Sequence, residues 1–249
     1  FPRKSKLHKK VLQFNLKKAN LLMSTSEVMK QELQKYTTKE IIVTPFGVDV
    51  NVFKKETSSK KENECINVGT IKPIEEKYGI TYIIDAAKIL KNEYQKAKFK
   101  FYLIGPGNDL EKYQKEINEK GLNEEVIITG RVPFSEIAVY HNRLDVFLNV
   151  SIDDSESFGA ATVEAMACEK PVIVTDVGGL MEVVNQGEFG IVIPKKDSKA
   201  ISDAIIKVVE HKSTYEKMGL NARQHVLKHY DWQHNLEKMI NVYNSLLKK

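Results

Sequence analysis

From Cys65 onward, short apolar runs rich in Ile, Val and Phe alternate with longer segments of helical period, and this alternation constrains the fold more than any other property of the chain. It points to a parallel α/β sheet flanked by helices, because parallel neighbours must be joined by a crossover and a strand covered on both faces is apolar at successive positions. Strands are expected to begin near Cys65, Phe99, Val126, Asp145, Pro171 and Phe189. Between the first two, Ile80, Ile83, Ile84, Ala87 and Leu90 recur at helix spacing, with Lys88, Lys91 and Glu93 elsewhere on the helix. A second crossover helix starts from Asp197 as N-cap and carries Ala200, Ile201, Ala204, Ile205, Val208 and Val209 as its buried stripe.

The first forty residues do not follow the alternation. Leu7, Val11 and Phe14, then Val28, Met29 and Leu33, read as two helices before any strand. The expected organisation is therefore a helical unit over 1–40, a sheet domain over 41–230, and a closing amphipathic helix over 231–249 with Trp232, Leu236, Met239, Ile240, Tyr243 and Leu247 docked on the rest. The polar stretch from Glu56 to Glu64 lacks periodicity and reads as a surface loop or linker.

At 249 residues the chain has ample capacity to bury a core, and 42% hydrophobic with 29% charged residues is the composition of a water-soluble globular protein. The excess of +5 gathers in the first twenty residues at Arg3, Lys4, Lys6, Lys9, Lys10, Lys17 and Lys18. A solvated helix face explains that cluster as simply as contact with anionic lipid headgroups, and no nucleic-acid signature accompanies it. No stretch reaches the ~20 apolar residues of a membrane span, and no apolar core follows the basic start to make a signal peptide. Cys65 and Cys168 sit far apart in apolar runs, so buried free thiols in a reducing, cytoplasmic setting are expected. The six histidines show no ligand spacing and read as residues of helix surfaces and termini.

The segment that speaks to chemistry is Glu156-Ser157-Phe158-Gly159-Ala160-Ala161-Thr162-Val163-Glu164-Ala165-Met166-Ala167, followed by Pro171-Val172-Ile173-Val174 and Gly178-Gly179. With a helix beginning just after Gly159, the N–H groups of Phe158, Gly159 and Ala160 would face outward as a cradle for an anion or a hydroxyl. Glu156 would lie in the preceding loop and Glu164 in the second helical turn. A carboxylate among Ala, Met and Val needs hydrogen-bond donors, since an uncompensated buried charge is costly, and ribose hydroxyls are suitable donors. An ordinary loop acid and an ion-paired helix residue are the alternative for any two glutamates.

Two glutamates with seven residues between them, with Phe-Gly shortly after the first and Glu-Ala-Met-Ala at the second, resemble the signature of the retaining glycosyltransferase family 4, the glycosyl transferases group 1 of the two-lobed GT-B type. Lys170 to Val174, Asp176 to Leu180 and Glu182 continue the resemblance, as does Val43-Thr44-Pro45-Phe46-Gly47-Val48-Asp49, which is similar to the family's interdomain turn except that Asn is common where Phe46 stands. Gly69-Thr70-Ile71-Lys72 and Lys77-Tyr78-Gly79 resemble the first strand and loop of the donor-binding lobe. The usual Arg after the Gly is replaced by Thr70, so the resemblance assigns the diphosphate to Lys77, with Lys72 as a substitute cation. Gly130-Arg131-Val132 resembles the segment that contacts the base.

The resemblance implies one Rossmann-like, doubly wound lobe of a GT-B fold with extra N-terminal helices, in which Gly69, Thr70, Lys72, Lys77, Arg131, Val132, Glu156, Ser157, Phe158, Gly159, Ala160 and Glu164 bind a nucleoside diphosphate sugar. UDP-sugar is preferred over GDP-sugar, and neither a cofactor nor a metal is expected. Lys77 and Glu156 are the implied catalytic residues, Glu156 positioning donor-sugar hydroxyls while Glu164 holds the ribose. The implied reaction is sugar transfer with retention to a saccharide or lipid-linked acceptor. Complete members carry a further N-terminal, acceptor-binding lobe; the helices over 1–40 resemble its last part, and the helix over 231–249 resembles the one that crosses back to it. A partial protein of low activity is therefore expected, with a peripheral membrane contact through that lobe or the basic N-terminal helix. Asp153-Asp154 read as a metal-binding pair, a non-catalytic nucleotide-sugar-binding module and a related two-lobed epimerase are the competing readings.

Overall fold

The computed structural model describes residues 5–56 and 65–247. Arg3, Lys4 and all of the expected polar linker except Glu56 lie outside the described residues. In chain order the elements are α1 (Lys6–Lys18), β1 (Leu22–Ser24), α2 (Glu27–Gln34), β2 (Ile41–Val43), β3 (Cys65–Ile71), α3 (Ile80–Glu93), β4 (Lys98–Ile104), α4 (Leu110–Glu119), β5 (Val126–Gly130) and α5 (Ile137–Arg143). They continue with β6 (Val146–Asn149), α6 (Ala160–Ala167), β7 (Val172–Thr175), α7 (Gly178–Val183), β8 (Ile191–Ile193), α8 (Ser198–Glu210), α9 (Lys212–His229) and α10 (Trp232–Leu247).

The six strands from β3 form one parallel sheet in the order β5-β4-β3-β6-β7-β8. Strands are added outward on one side of β3 and then, from β6, on the other, which is the doubly wound arrangement with its switch point between β3 and β6. The period of two divides the side chains between the faces. Val146 and Leu148 enter the core beneath α3 and α8, whereas Phe147 enters the one beneath α6 and α9. On α3 the expected stripe is buried with Ala86 added to it, and Asp197 caps α8 by accepting from the Ala200 N–H at 2.9 Å.

The N-terminal region departs from the expected pair of helices. Leu22–Ser24 lies between them as a strand and pairs in parallel with Ile41–Val43, so β2 belongs with β1 rather than with the large sheet. Leu22-Met23-Ser24 has none of the Ile, Val and Phe that mark the strands of the large sheet, which is why the sequence hides it. Leu16, Leu22 and Ile41 form a separate small core. Two carboxylate bonds join this unit to the sheet domain, from the backbone N–H groups of Glu27 and Val28 to the Glu182 oxygens at 2.9 and 3.0 Å. The acid thus sits against the positive end of α2.

The closing helix is anchored at its start and open further along. The segment before it is anchored, with Val48 N–H donating to Tyr230 at 2.8 Å and Trp232 N–H donating to Val48 at 3.0 Å. Beyond Asn235, however, Ile240, Tyr243 and Leu247 are exposed, so the apolar face of α10 is not docked on the described residues. Leu7, Val11 and Phe14 of α1 are exposed in the same way. Cys168 is buried and its thiol is pushed up to about 12 by that burial, whereas Cys65 is only partly buried, and both are free. None of the described helices is long and apolar enough to cross a membrane.

Candidate active site at the sheet switch point

In open α/β sheets the crevice for a ligand lies outside the carboxyl ends of the strands at the switch point. Here those ends are Ile71 of β3 and Asn149 of β6. A cavity of about 270 Å³ opens there, lined by Phe46, Lys77, Tyr78, Ser151, Asp153, Ser155, Glu156, Ser157, Phe158, Gly159 and Ala160. Local backbone geometry builds its walls. Gly79 takes φ +72° where a Cβ would stand 2.2 Å from the Val150 carbonyl oxygen, which lets the turn after Lys77 lie directly on the end of β6. Gly159 takes φ +81° as the N-cap of α6, with Leu180 filling the space a Cβ would need.

A buried polar chain fixes the floor. Ser151 donates to the Asn149 side chain at 3.0 Å, Asn149 donates to Thr162 at 2.9 Å, and Thr175 donates to the Ser151 carbonyl at 2.6 Å. The ends of β6 and β7 are thereby locked to the first turn of α6. The Glu156–Ser157 backbone rests on Gly179, where any Cβ would stand 2.4 Å from the Ser157 carbonyl carbon.

Lys72 leaves β3 and reaches Glu156 Oε2 at 2.5 Å, and only 11% and 14% of the two side chains is exposed. The other oxygen, Oε1, accepts from the Gly159 N–H at 3.0 Å. The expected cradle is therefore not fully open: its central N–H is taken by the nearest carboxylate, drawn to the positive end of α6. The N–H groups of Phe158 and Ala160 donate to no protein acceptor among the described residues. Lys77 is nearly half exposed at the cavity, 3.2 Å from Glu75, whose hydrogen bond, with Tyr78 beside it, holds the ammonium above the ordinary lysine range. The ammonium groups of Lys72 and Lys77 both lie over the Tyr78 ring, 5.2 and 4.9 Å from its centre.

Five of the expected donor residues besides Lys77 meet here, Glu156 through Ala160, and Lys72 joins them through Glu156. The remaining ones are placed otherwise. Gly69 is interior to β3, where the Leu144 side chain and Tyr102 carbonyl occupy the space of a Cβ, so its smallness serves packing. Thr70 is 1% exposed inside the same strand. Arg131 and Val132 follow β5 on the same carboxyl edge but do not line the cavity.

Glu164 is in the second turn of α6 as expected, and its Oε2 lies 3.1 Å from Nε2 of His141. His141, read from sequence as one of several surface histidines, is wholly buried on α5 against Phe147 and Phe53. His225 is another correction, stacked on Phe189 with ring centres 4.5 Å apart. Neither placement has a signal at helix spacing, because each partner comes from a distant part of the chain.

A second cavity, about 540 Å³, shares the wall formed by Asp153, Ser155, Glu156 and Ser157 and is closed on its far side by Val28, Met29 and Glu32 of α2. Of the acidic pair, Asp154 lies 2.8 Å from the Lys195 ammonium, and Asp153 accepts from the Ser155 N–H at 2.7 Å. Among the described residues no group of three or more His, Cys, Asp and Glu is placed to hold a metal.

The family model of glycosyl transferases group 1 matches residues 50–225. An uncharacterized glycosyltransferase of Methanocaldococcus jannaschii is 28% identical over 225 residues, covering 90% of this chain and 59% of the relative. The capsular polysaccharide biosynthesis glycosyltransferase CapM of Staphylococcus aureus is 31% identical over 209 residues, covering 82% and 52%. The chain thus spans little more than half the length of these relatives. Among solved structures, Anabaena HepE in complex with UDP superposes with a TM-score of 0.88 at 20% identity, over 98% of this chain and 69% of that one. The sucrose-phosphate synthase of Thermosynechococcus elongatus superposes with a TM-score of 0.86 at 21% identity, over 99% and 63%.

Proposed function

We infer, since this chain belongs to the glycosyl transferases group 1 family, that it is the donor-binding part of an enzyme moving a sugar from a nucleoside diphosphate sugar to an acceptor hydroxyl, with retention at the anomeric carbon. The observation that carries this reading is the convergence of Lys77, the Lys72–Glu156 pair and the N-terminus of α6 on one cavity at the sheet switch point. A departing diphosphate needs positive charge and oriented N–H donors, and these groups supply both. Lys77 and the Phe158 and Ala160 N–H groups would take the diphosphate. Glu156 would turn from Gly159 toward the hydroxyls of the donor sugar, releasing Lys72 to the phosphate. Glu164 would hold the ribose.

UDP-sugar is the preferred donor, in keeping with the UDP found in the HepE complex. The second cavity, across Glu156 and against α2, is the natural entry for a saccharide or lipid-linked acceptor. Because the charges are supplied by lysines and a helix end, donor binding should need no divalent cation. By itself this length of chain is expected to bind donor and transfer slowly. Titration calorimetry with UDP, UDP-glucose and GDP-mannose, each with and without a chelator, tests the assignment. Binding of UDP and its sugar in the chelator supports it. Binding that vanishes with the chelator and with Asp153→Ala or Asp154→Ala would replace it with the metal-dependent reading.

A further inference from the structure

Among the described residues, Glu164 is hydrogen-bonded through one oxygen alone. Oε2 is bonded to His141 Nε2, and Oε1 accepts from no protein donor among the described residues, although the side chain keeps some exposure. The chemistry of the pair fixes the proton. A carboxylate can only accept, so Nε2 must carry hydrogen. The other ring nitrogen, Nδ1, is buried and has no hydrogen-bond partner. A proton there would be an unsatisfied donor in the core beside Phe53 and Phe147, so the ring is the neutral Nε2–H tautomer. Burial holds the imidazole below the ordinary histidine range, in the same sense.

A neutral donor at this place does something a charged one would not. It fixes the rotation of the carboxylate without neutralising it, so the second oxygen keeps its full capacity to accept hydrogen bonds. The ring cannot drift, since it is enclosed on α5 with Phe53 and Phe147 at centre distances of 6.0 and 5.2 Å.

We propose that His141 is a positioning residue for the nucleotide, whose Nε2–H holds Glu164 by Oε2 and so presents Oε1 to the ribose hydroxyls of the donor. This rests on the reading of Glu164 as the ribose acceptor. His141 touches no ligand itself and acts only through the carboxylate.

The test is the preference for ribose over its deoxy forms. UDP, 2′-deoxy-UDP and 3′-deoxy-UDP are titrated against the parent protein, His141→Phe and His141→Gln, whose amide nitrogen can replace the imidazole donor. The parent should bind UDP about 10- to 100-fold more tightly than at least one deoxy form, the range of a hydrogen bond to a charged group. His141→Phe should shrink that ratio to about threefold or less while leaving the weaker deoxy ligand nearly unaffected, and His141→Gln should restore most of it. A ratio unchanged in His141→Phe would overturn the positioning role and leave the ribose reading standing. A parent that does not distinguish UDP from either deoxy form would overturn the ribose reading and this inference with it. Should His141→Phe fail to fold, imidazole ¹⁵N spectra of the parent decide the case: the Nε2–H tautomer supports the proposal, and the Nδ1–H tautomer overturns it.

Discussion

Lys72 and Glu156 neutralise each other: 2.5 Å separates Nζ from Oε2, and both side chains are nearly buried at the mouth of β3. The cation expected to meet a diphosphate and the carboxylate expected to meet a sugar are thus partners before either meets a ligand. A phosphate bound as proposed would compete with Glu156 both for Lys72 and for the Gly159 N–H.

Removing the charge of that competitor should favour nucleotide. Glu156→Gln is expected to tighten UDP by about three- to tenfold, the weight of one partly shielded ion pair, while narrowing or reversing the advantage of UDP-glucose over UDP. Lys72→Met should do the opposite, weakening UDP and lowering stability by about 3 kcal/mol because a nearly buried carboxylate loses its counter-charge. Calorimetric titration and denaturant unfolding measure the two effects. An Glu156→Gln protein that binds UDP more weakly than the parent would show that Glu156 is no competitor.

The attachment of the N-terminal unit should depend on Glu182. Its two oxygens accept the first N–H groups of α2, and Val28 of that helix lies against Gly178, where a Cβ would stand 2.9 Å from Val28 Cγ1. Glu182→Ala should cost about 1 to 2 kcal/mol, as the loss of a charged helix cap does. Amide exchange in α2 is expected to rise while exchange in α3 and α8 stays as it was. Equal acceleration throughout the chain would mean that the contact supports the whole fold instead.

Acid should destabilise the protein through the histidines that burial holds below their ordinary range, His141 and His225 foremost. Burial lowers the folded-state value of His141, and it lowers that of His225 to about 4 from 6.5, with His229 adding to the effect. A histidine whose folded value is depressed binds its proton more readily when unfolded. Its contribution is therefore complete above the unfolded value and is lost as pH falls through 6.5 toward the folded one, with a slope of up to about 1.4 kcal/mol per pH unit for each proton. Unfolding midpoints in urea between pH 7.5 and pH 4.5 should fall, and the fall should be shallower in His225→Phe, which retains the stack on Phe189 without the titration. Identical pH profiles for parent and variant would remove His225 from the account.

The large sheet was legible because its signals are local. A strand covered on both faces must be apolar at each position, as Val146, Phe147 and Leu148 are, and a crossover helix shows its stripe within a few turns, as Ile80 to Leu90 does. The glutamate spacing and the turn at Gly159 are likewise written in consecutive residues. The pairing of β1 with β2 was not legible, since Leu22-Met23-Ser24 lacks the Ile, Val and Phe of the other strands, and an amphipathic helix such as α10 declares that it has an apolar face without declaring what covers it.

What the sequence by itself determined is thus the alternation of strands and helices, the place of the α6 N-terminus after Gly159, and the residues gathered in the loop before it. Tertiary structure alone decided which polar side chains meet. Lys72 and Glu156 are 84 positions apart and His141 and Glu164 are 23 apart, and no propensity or period links them. Each pair exists because parallel strands order β3 beside β6 and bring α5 against α6, and because a carboxylate withdrawn from water must take whichever donor the packing leaves within reach.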